Sequence, residues 1–392
     1  MNDPMKLNSF SDTVKPRVLL SGHLPPPMSG IGTYYETLLG SSLPRQVSLQ
    51  FIDTSSRRRP LSQTGSWSVS NLLSAVVDCI RFIKAVVVYR PEICHIATAF
   101  GLSFVKHSVC ILVARVLGSK VLLHPHCSFY ILYEQQGKAW QWFVRQIIGI
   151  CHGVVALSNE WKGLQEVVPD CQIYYLPNAI NLLDYIDVGR ENIKSKSERQ
   201  CLHVLYLGYL GKAKGSFDLI CAAKTILHQM EGVVFDLVGQ EHAAGEMEQL
   251  NTRVAAAGLE QFIHIQSAVT GAEKIKLFRS ADIFVYPSYH EGMPMAVIEA
   301  MACGLPIIAT EVGGLPDLVC PDFNGLLVPA GQPDQLAIAI HQLIINPQMR
   351  YSMQVGSFQL AQENFDIEKL VSQLLDVYYR ILMPHPKASV HR

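Results

Sequence analysis

Short aliphatic and β-branched runs alternate with longer stretches of helical periodicity along the whole chain. The run RVLLS at 17–21 reads as a buried strand, followed by a Gly/Pro-rich loop and a helix over 32–39. Strands are predicted over 47–52, 93–96, 120–124, 153–157 and 173–176, with helices over 71–89, 104–117 and 138–151 between them. A nearly all-polar stretch, 187–200 (DVGRENIKSKSERQ), reads as a linker. A second series then places strands over 203–207, 233–238, 263–265, 283–286, 306–309 and 325–328. Its helices are predicted over 217–229, 245–257, 272–280, 295–302 and 333–345. Such alternation predicts an α/β protein with two doubly wound parallel sheets and a site in the cleft between two domains. The first domain is expected over 1–195 and the second over 196–369, with a last helix over 370–383 and a disordered tail over 384–392.

Composition adjusts this picture in two places. The chain has 392 residues, 49% hydrophobic and only 17% charged, against about 25% charged for ordinary soluble domains. It therefore has ample material for two cores, and the charge deficit asks where the apolar residues go. Lys and Arg number 32 against 33 Asp and Glu, so no net field points to nucleic acid. None of the ten cysteines has C-x-x-C spacing, which leaves a zinc ribbon or redox motif unsupported and suggests small core residues in a reducing compartment. The start of the chain lacks the apolar core of a signal peptide. The most apolar stretch, 93–123, is interrupted by His95, Lys106, His107, Arg115 and Lys120, too often for a spanning helix. A cytoplasmic location is expected.

The segment 286–306 (YPSYHEGMPMAVIEAMACGLP) carries the most chemistry. A strand ends at Tyr286, a loop carries Glu291, and Pro294 suits the first turn of a helix. The amides of Met295 and Ala296 then lie at a helix N-terminus, an anion site. Glu299 lies one helical run further on and can accept two hydroxyl hydrogen bonds, as from a ribose diol. Glu291 can do the same for sugar hydroxyls. By spacing alone the pair reads equally as two solvated glutamates near a helix start.

The context resembles the E-x7-E signature of retaining GT-B glycosyltransferases of family 4 (glycosyl transferases group 1). It continues through 300–309 (AMACGLPIIA), Val312-Gly-Gly314 and 324–328 (NGLLV). The resemblance implies two Rossmann-like domains facing each other across a cleft, the first binding the acceptor and the second the nucleotide sugar. It places Glu291, Met293, Met295, Ala296 and Glu299 around the donor. The stretch 206–215 (YLGYLGKAKG) resembles the loop that clamps the donor diphosphate with an Arg and a Lys. Lys214 falls on the Lys position and is implied to balance the leaving group, whereas Tyr209 replaces the Arg, with Lys212 nearby as a substitute cation. Gly30 and Gly32, in 24–33 (LPPPMSGIGT), are implied to bring backbone amides over the donor phosphate. His126, after the strand 120–124, matches the histidine that approaches the donor sugar, with Cys127 where a glycine usually follows. His124 and His126 form an H-x-H pair that lacks a suitably spaced third ligand, so no metal site is expected. Ser158, Asn159 and the pair Pro177-Asn178 resemble cleft-lining positions, and read equally as caps or turns. The helix 370–383 is implied to cross back onto the first domain.

The leading expectation is a retaining glycosyltransferase that moves a sugar from a nucleoside-diphosphate sugar to an acceptor hydroxyl. It implies no metal and no cofactor beyond the nucleotide sugar as co-substrate, since no D-x-D triplet occurs in the chain. A nucleotide-sugar epimerase or glycosyl phosphorylase on the same fold is the alternative, as is an impaired homologue acting as a scaffold, which the Tyr209 departure keeps open. Hydride transfer is the weakest option, because Gly30-Ile-Gly-Thr-Tyr-Tyr35 lacks the third glycine of a dinucleotide fingerprint. The acceptor is expected to be a saccharide or lipid-linked saccharide, in cell-surface polysaccharide or glycolipid synthesis. Basic residues among apolar runs of the first domain (57–59, Arg81, Lys84, Arg90) suit peripheral contact with anionic lipid at the inner face of the cell membrane, and suit an ordinary solvated helix face as well.

Overall fold

Every strand among the described residues is short and paired in parallel, an arrangement that calls for helices on both faces of a sheet. The computed structural model describes residues 15–26, 29–54, 69–127, 129–195 and 201–383. The expected tail at 384–392 and the basic run at 57–59 lie outside them.

The first half contains β1 (Arg17–Gly22), α1 (Gly30–Gly40), α2 (Leu43–Gln46), β2 (Ser48–Asp53), α3 (Val69–Tyr89), β3 (Ile93–Thr98), α4 (Leu102–Val116) and β4 (Lys120–Pro125). It continues with α5 (Phe129–Glu134), α6 (Lys138–Gly149), β5 (Gly153–Ala156), α7 (Lys162–Val167), β6 (Ile173–Tyr175) and α8 (Ile186–Ser195). The strand order is β2-β1-β3-β4-β5-β6. All six residues of β3 are buried, as a central parallel strand requires.

The second half contains β7 (Leu202–Leu207), α9 (Ser216–Leu227), β8 (Val233–Val238), α10 (Glu246–Ala256), β9 (Ile263–Gln266), α11 (Gly271–Ser280) and β10 (Ile283–Tyr286). It ends with α12 (Met295–Ala302), β11 (Ile307–Thr310), α13 (Leu315–Leu318), β12 (Gly325–Val328), α14 (Pro333–Ile345), α15 (Pro347–Asn364) and α16 (Ile367–Leu382). Its order, β12-β11-β10-β7-β8-β9, reverses direction between β7 and β10. In a doubly wound sheet the crevice outside that reversal holds the ligand. The loops after β7 and β10 are those that carry Lys214 and Glu291. The α/β architecture of two doubly wound sheets is thus the observed one.

The polar stretch 187–200 is not the linker expected of it. Residues 186–195 form α8, which packs on α11, α12 and α15 and so sits with the second sheet. Val188 and Asn192 are buried, and the Asn192 Nδ2 donates to the carbonyls of Phe278 (3.1 Å) and Cys303 (2.8 Å). A Cβ on Gly189 would stand 2.4 Å from the Ala302 carbonyl oxygen, so the two helices meet backbone to backbone. Asp187, Arg190, Glu191 and Lys194 take the outer face, which is why a count of polar residues hides the helix.

Helix α15 also had no counterpart among the predicted elements. Its buried face is Met353, Gln354, Gly356, Ser357 and Ala361, too small and polar to show an apolar period. The last helix, α16, lies against the first sheet's layer: Tyr378 OH meets His95 Nδ1 at 2.8 Å, and the Glu368 carboxylate accepts from the Ser42 amide at 3.0 Å. The chain therefore crosses between the halves twice. The crossings run side by side where Ile180 exchanges backbone bonds with Phe365 and Ile367.

Candidate functional site

The carboxyl ends of the two sheets face one another around a cavity of about 350 Å³. The first half contributes Ser29, Gly30, Thr33, His126 and Asn178 to its wall, and the second contributes the loops after β7, β8, β9 and β10 with the start of α12.

Lys214 and Glu291 meet on its wall. Lys214 Nζ stands 2.5 Å from Glu291 Oε1 and 3.3 Å from the His290 carbonyl. Tyr286 OH donates to the same carboxylate oxygen at 3.2 Å, and burial together with the Glu291 charge pushes the Tyr286 pKa well up, so the phenol remains a donor. Two backbone approaches position this pair. Gly215 has a positive φ of 71°, and a Cβ there would lie 1.9 Å from the Pro287 carbonyl oxygen, so only glycine brings the Lys214 turn against the Glu291 loop. The Glu246 carboxylate holds the turn from the other side, accepting from the Lys212 and Ala243 amides, each at 2.9 Å.

The loop 287–294 then enters α12. Pro294 offers no capping side chain, and Met295 and Ala296 line the cavity, so the helix start presents its partial positive charge there. Asn178 fixes the loop from the first half of the chain, its Nδ2 donating to the Met293 carbonyl at 2.6 Å. On the far side Glu299 is only 2% exposed. Its Oε1 accepts from Lys274 Nζ at 2.7 Å and from Tyr185 OH at 2.9 Å. Burial and the adjacent carboxylate raise the Tyr185 pKa far above that of a free phenol. Sequence reasoning missed Lys274 and Tyr185, which lie 25 and 114 residues from Glu299.

Across the cavity, His126 follows β4. Its Nε2 is buried with no protein partner, and its ring stands 4.0 Å from the His124 ring and 5.0 Å from Tyr34, centroid to centroid. Behind it, His124 Nδ1 bonds His95 Nε2 at 3.1 Å, and His95 Nδ1 reaches Tyr378. Burial first, then the neighbouring imidazoles, pushes His126 down to about 3 and His124 well below its usual value; burial alone pushes His95 to about 3. All three are neutral near pH 7, and His126 is equipped for hydrogen bonding rather than for charge. The unfolded chain binds their protons near pH 6.5 and the folded chain refuses them. Stability is therefore complete above that pH and falls as pH drops toward 3, by up to about 1.4 kcal/mol per pH unit for each such histidine. The urea midpoint is expected to fall between about pH 7 and about pH 5, and equal midpoints would mean these imidazoles take up protons within the fold.

Of the ten residues assigned from sequence to the donor and reacting centre, eight come together on the cavity wall: Gly30, His126, Lys214, Glu291, Met293, Met295, Ala296 and Glu299. Two do not. Gly32 is withdrawn because Ser29 caps α1, its Oγ accepting the Gly32 amide at 3.0 Å, so that N–H is spent on the helix itself. Lys212 points away, its Nζ 6.0 Å over the Phe217 ring, and does not take the place of the missing arginine. Tyr209 lines the cavity with its ring edge-on to His242. Ser158 and Asn159 border a neighbouring hollow of about 320 Å³, where the Asn159 amide and side chain both bond Asp317 at 2.6 Å, tying the halves together. Among the described residues no group of three or more His, Cys, Asp or Glu is placed to hold a metal ion.

Residues 190–356 match the family model described as glycosyl transferases group 1. A D-inositol 3-phosphate glycosyltransferase of Streptomyces bingchenggensis is 31% identical over 194 residues, 48% of this chain and 42% of that protein. One of Corynebacterium jeikeium is 31% identical over 193 residues, 47% and 46% of the two chains. The chain thus spans under half the length of these curated relatives. Among solved structures, sucrose-phosphate synthase from Thermosynechococcus elongatus has a TM-score of 0.74 over 94% of this chain and 99% of that one, at 19% identity. Anabaena HepE in complex with UDP has a TM-score of 0.68 over 93% and 99%, at 16% identity. By these likenesses residues 190–356 match the glycosyl transferases group 1 family, and the chain as a whole has the GT-B fold.

Proposed function

We propose that the protein is a retaining, family 4 glycosyltransferase that moves a sugar from a nucleoside diphosphate to an acceptor hydroxyl without a metal ion. The observation that carries this reading is a single cavity shared by a cation (Lys214), a helix N-terminus (Met295, Ala296) and two separated carboxylates (Glu291, Glu299). That set matches a donor with a diphosphate between a ribose and a sugar. Glu299 accepts from the ribose hydroxyls, and Lys214 with the start of α12 meets the diphosphate. Glu291 and the neutral His126 hold the sugar from opposite sides. Solved neighbours of the same fold are complexes with UDP and with UDP-glucose.

In the reaction the bond from the sugar's anomeric carbon to the diphosphate oxygen breaks, and a bond from that carbon to the acceptor oxygen forms on the same face. The acceptor's proton passes to the departing diphosphate, whose charge Lys214 and the α12 amides offset. Approach of the two halves excludes water and suppresses donor hydrolysis. We further place the enzyme in the cytoplasm, acting on a saccharide or lipid-linked saccharide in cell-surface polysaccharide or glycolipid synthesis.

The test is a thermal-shift panel of UDP-, GDP- and ADP-sugars, each with magnesium and with a chelator. One nucleotide series is expected to stabilise the fold by about 2.7 kcal/mol at a hundredfold excess over Kd, equally in both arms. No shift with any of them, or a shift only with the metal, overturns the corresponding part of the proposal.

A further inference from the structure

A surface helix of an α/β domain turns its apolar stripe inward and its polar residues out. Helix α3 does the first and not the second. Phe82 and Val86 are buried beneath it, yet Leu72, Leu73, Val76, Val77 and Ile80 form another apolar stripe facing solvent, with Leu73 63% and Ile80 60% exposed. The positions recur every three to four residues, and the same line continues through exposed Lys84 to Val87 and Val88. The neighbouring helix α4 repeats the pattern with Val109, Leu112 and Val116, the last 84% exposed. The two helices pack on each other and are pinned by the Lys106–Asp78 ion pair at 3.1 Å. No helix among the described residues is long and apolar enough to cross a membrane.

Charge decides what covers this face. Residues 69–120 hold six Lys or Arg and only two acids, Asp78 and Glu92, in a chain whose net charge is −1. Both acids are engaged, Asp78 with Lys106 and Glu92 with the Arg17 amide at 2.9 Å. Arg81 and Lys84 are exposed beside the apolar stripe. A second copy docked symmetrically on this face would set these cations against their counterparts. An anionic bilayer instead accepts the apolar side chains at its acyl boundary while its phosphates meet the cations. We propose that the α3–α4 face of the first domain rests in the plane of an anionic phospholipid membrane. Helix α3 lies between β2 and β3 in the chain and packs with α4, so the two helices present one continuous face of the first half. The docking rests on the helices alone and does not require the sugar-transfer reading.

The test is co-sedimentation of the full chain with vesicles of phosphatidylcholine, alone or mixed with phosphatidylglycerol, at low and high salt. The protein is expected to pellet with the mixed vesicles at low salt and to stay in solution with phosphatidylcholine alone. Val77→Asp with Ile80→Asp, and separately Arg81→Glu with Lys84→Glu, are each expected to lower vesicle affinity by about tenfold or more. Both variants should keep the parent melting temperature and its nucleotide-sugar shift, since the altered side chains are exposed. Failure of the parent to pellet, or variants that bind as well as it does, overturns the proposal. So does a vesicle-free dimer that the apolar variant dissolves, which would make a second copy the occupant. A markedly lower melting temperature in that variant overturns it too, by showing that the chain itself covers the face.

Discussion

Replacing Lys214 by Ala is expected to lower turnover by about a hundredfold to a thousandfold, the effect of removing one preorganised charge stabiliser from a water-excluded site. The side chain is 18% exposed and its only carboxylate neighbour among the described contacts, Glu291, is 11% exposed. In the structure the two charges pair with each other; on the proposed reading an incoming diphosphate is expected to compete for the ammonium. Lys214→Arg keeps the charge but presents a planar fork where a point charge fits, and should recover only part of the loss. Steady-state kinetics on the donor identified by thermal shift reads the effect. Turnover of Lys214→Ala within a few-fold of the parent would move the diphosphate contact elsewhere; Lys212, whose Nζ lies 6.0 Å over the Phe217 ring, is not placed to take it over.

Glu299→Ala is expected to act twice. It strands the Lys274 ammonium, 16% exposed, and the Tyr185 hydroxyl without their acceptor, at a cost of about 3–5 kcal/mol in stability, the penalty for breaking a buried pair from one side. It also removes the proposed ribose acceptor, so donor affinity is expected to fall beyond what lower stability explains. The two effects separate in Lys274→Met combined with Glu299→Leu, where no buried charge is stranded. That double variant is expected to regain most of the stability and none of the donor affinity. Recovery of both would make Glu299 a structural residue alone. Unfolding in urea and nucleotide-sugar titration give the two readouts.

Much of this site is legible in sequence because it is local. Strand β10, the Glu291 loop and α12 are contiguous, so apolar run, proline and carboxylates fall in the order in which they stand around the helix start. The same holds for Lys214 in the turn after β7. Residues that bear on the site from a distance are not legible. Lys274 and Tyr185 reach Glu299 from other elements, and Asn178, although legible as a cleft-lining position, gives no sign in the sequence that it bonds the Met293 carbonyl from the opposite half of the chain. Gly32 and Lys212 sit in the right segments, yet one amide is consumed by the Ser29 cap and one side chain lies over Phe217. Helices α8 and α15 escape detection because backbone approaches at Gly189 and Gly356, with buried Asn192, Gln354 and Ser357, replace the apolar stripe that pattern reading depends on.

Alternation of buried strands with helices, the position of nearly every strand, and the carboxylate spacing around α12 follow from the sequence by itself, because each depends on neighbours in the chain. Only the tertiary structure decides which charges pair, which amides stay free and which side of a helix meets water. Those outcomes depend on what a second element places within a few ångströms. Helix α3 is the clearest instance: its sequence predicts a helix with apolar and basic residues, but an apolar stripe becomes an outward face only once Phe82 and Val86 have taken the inner one.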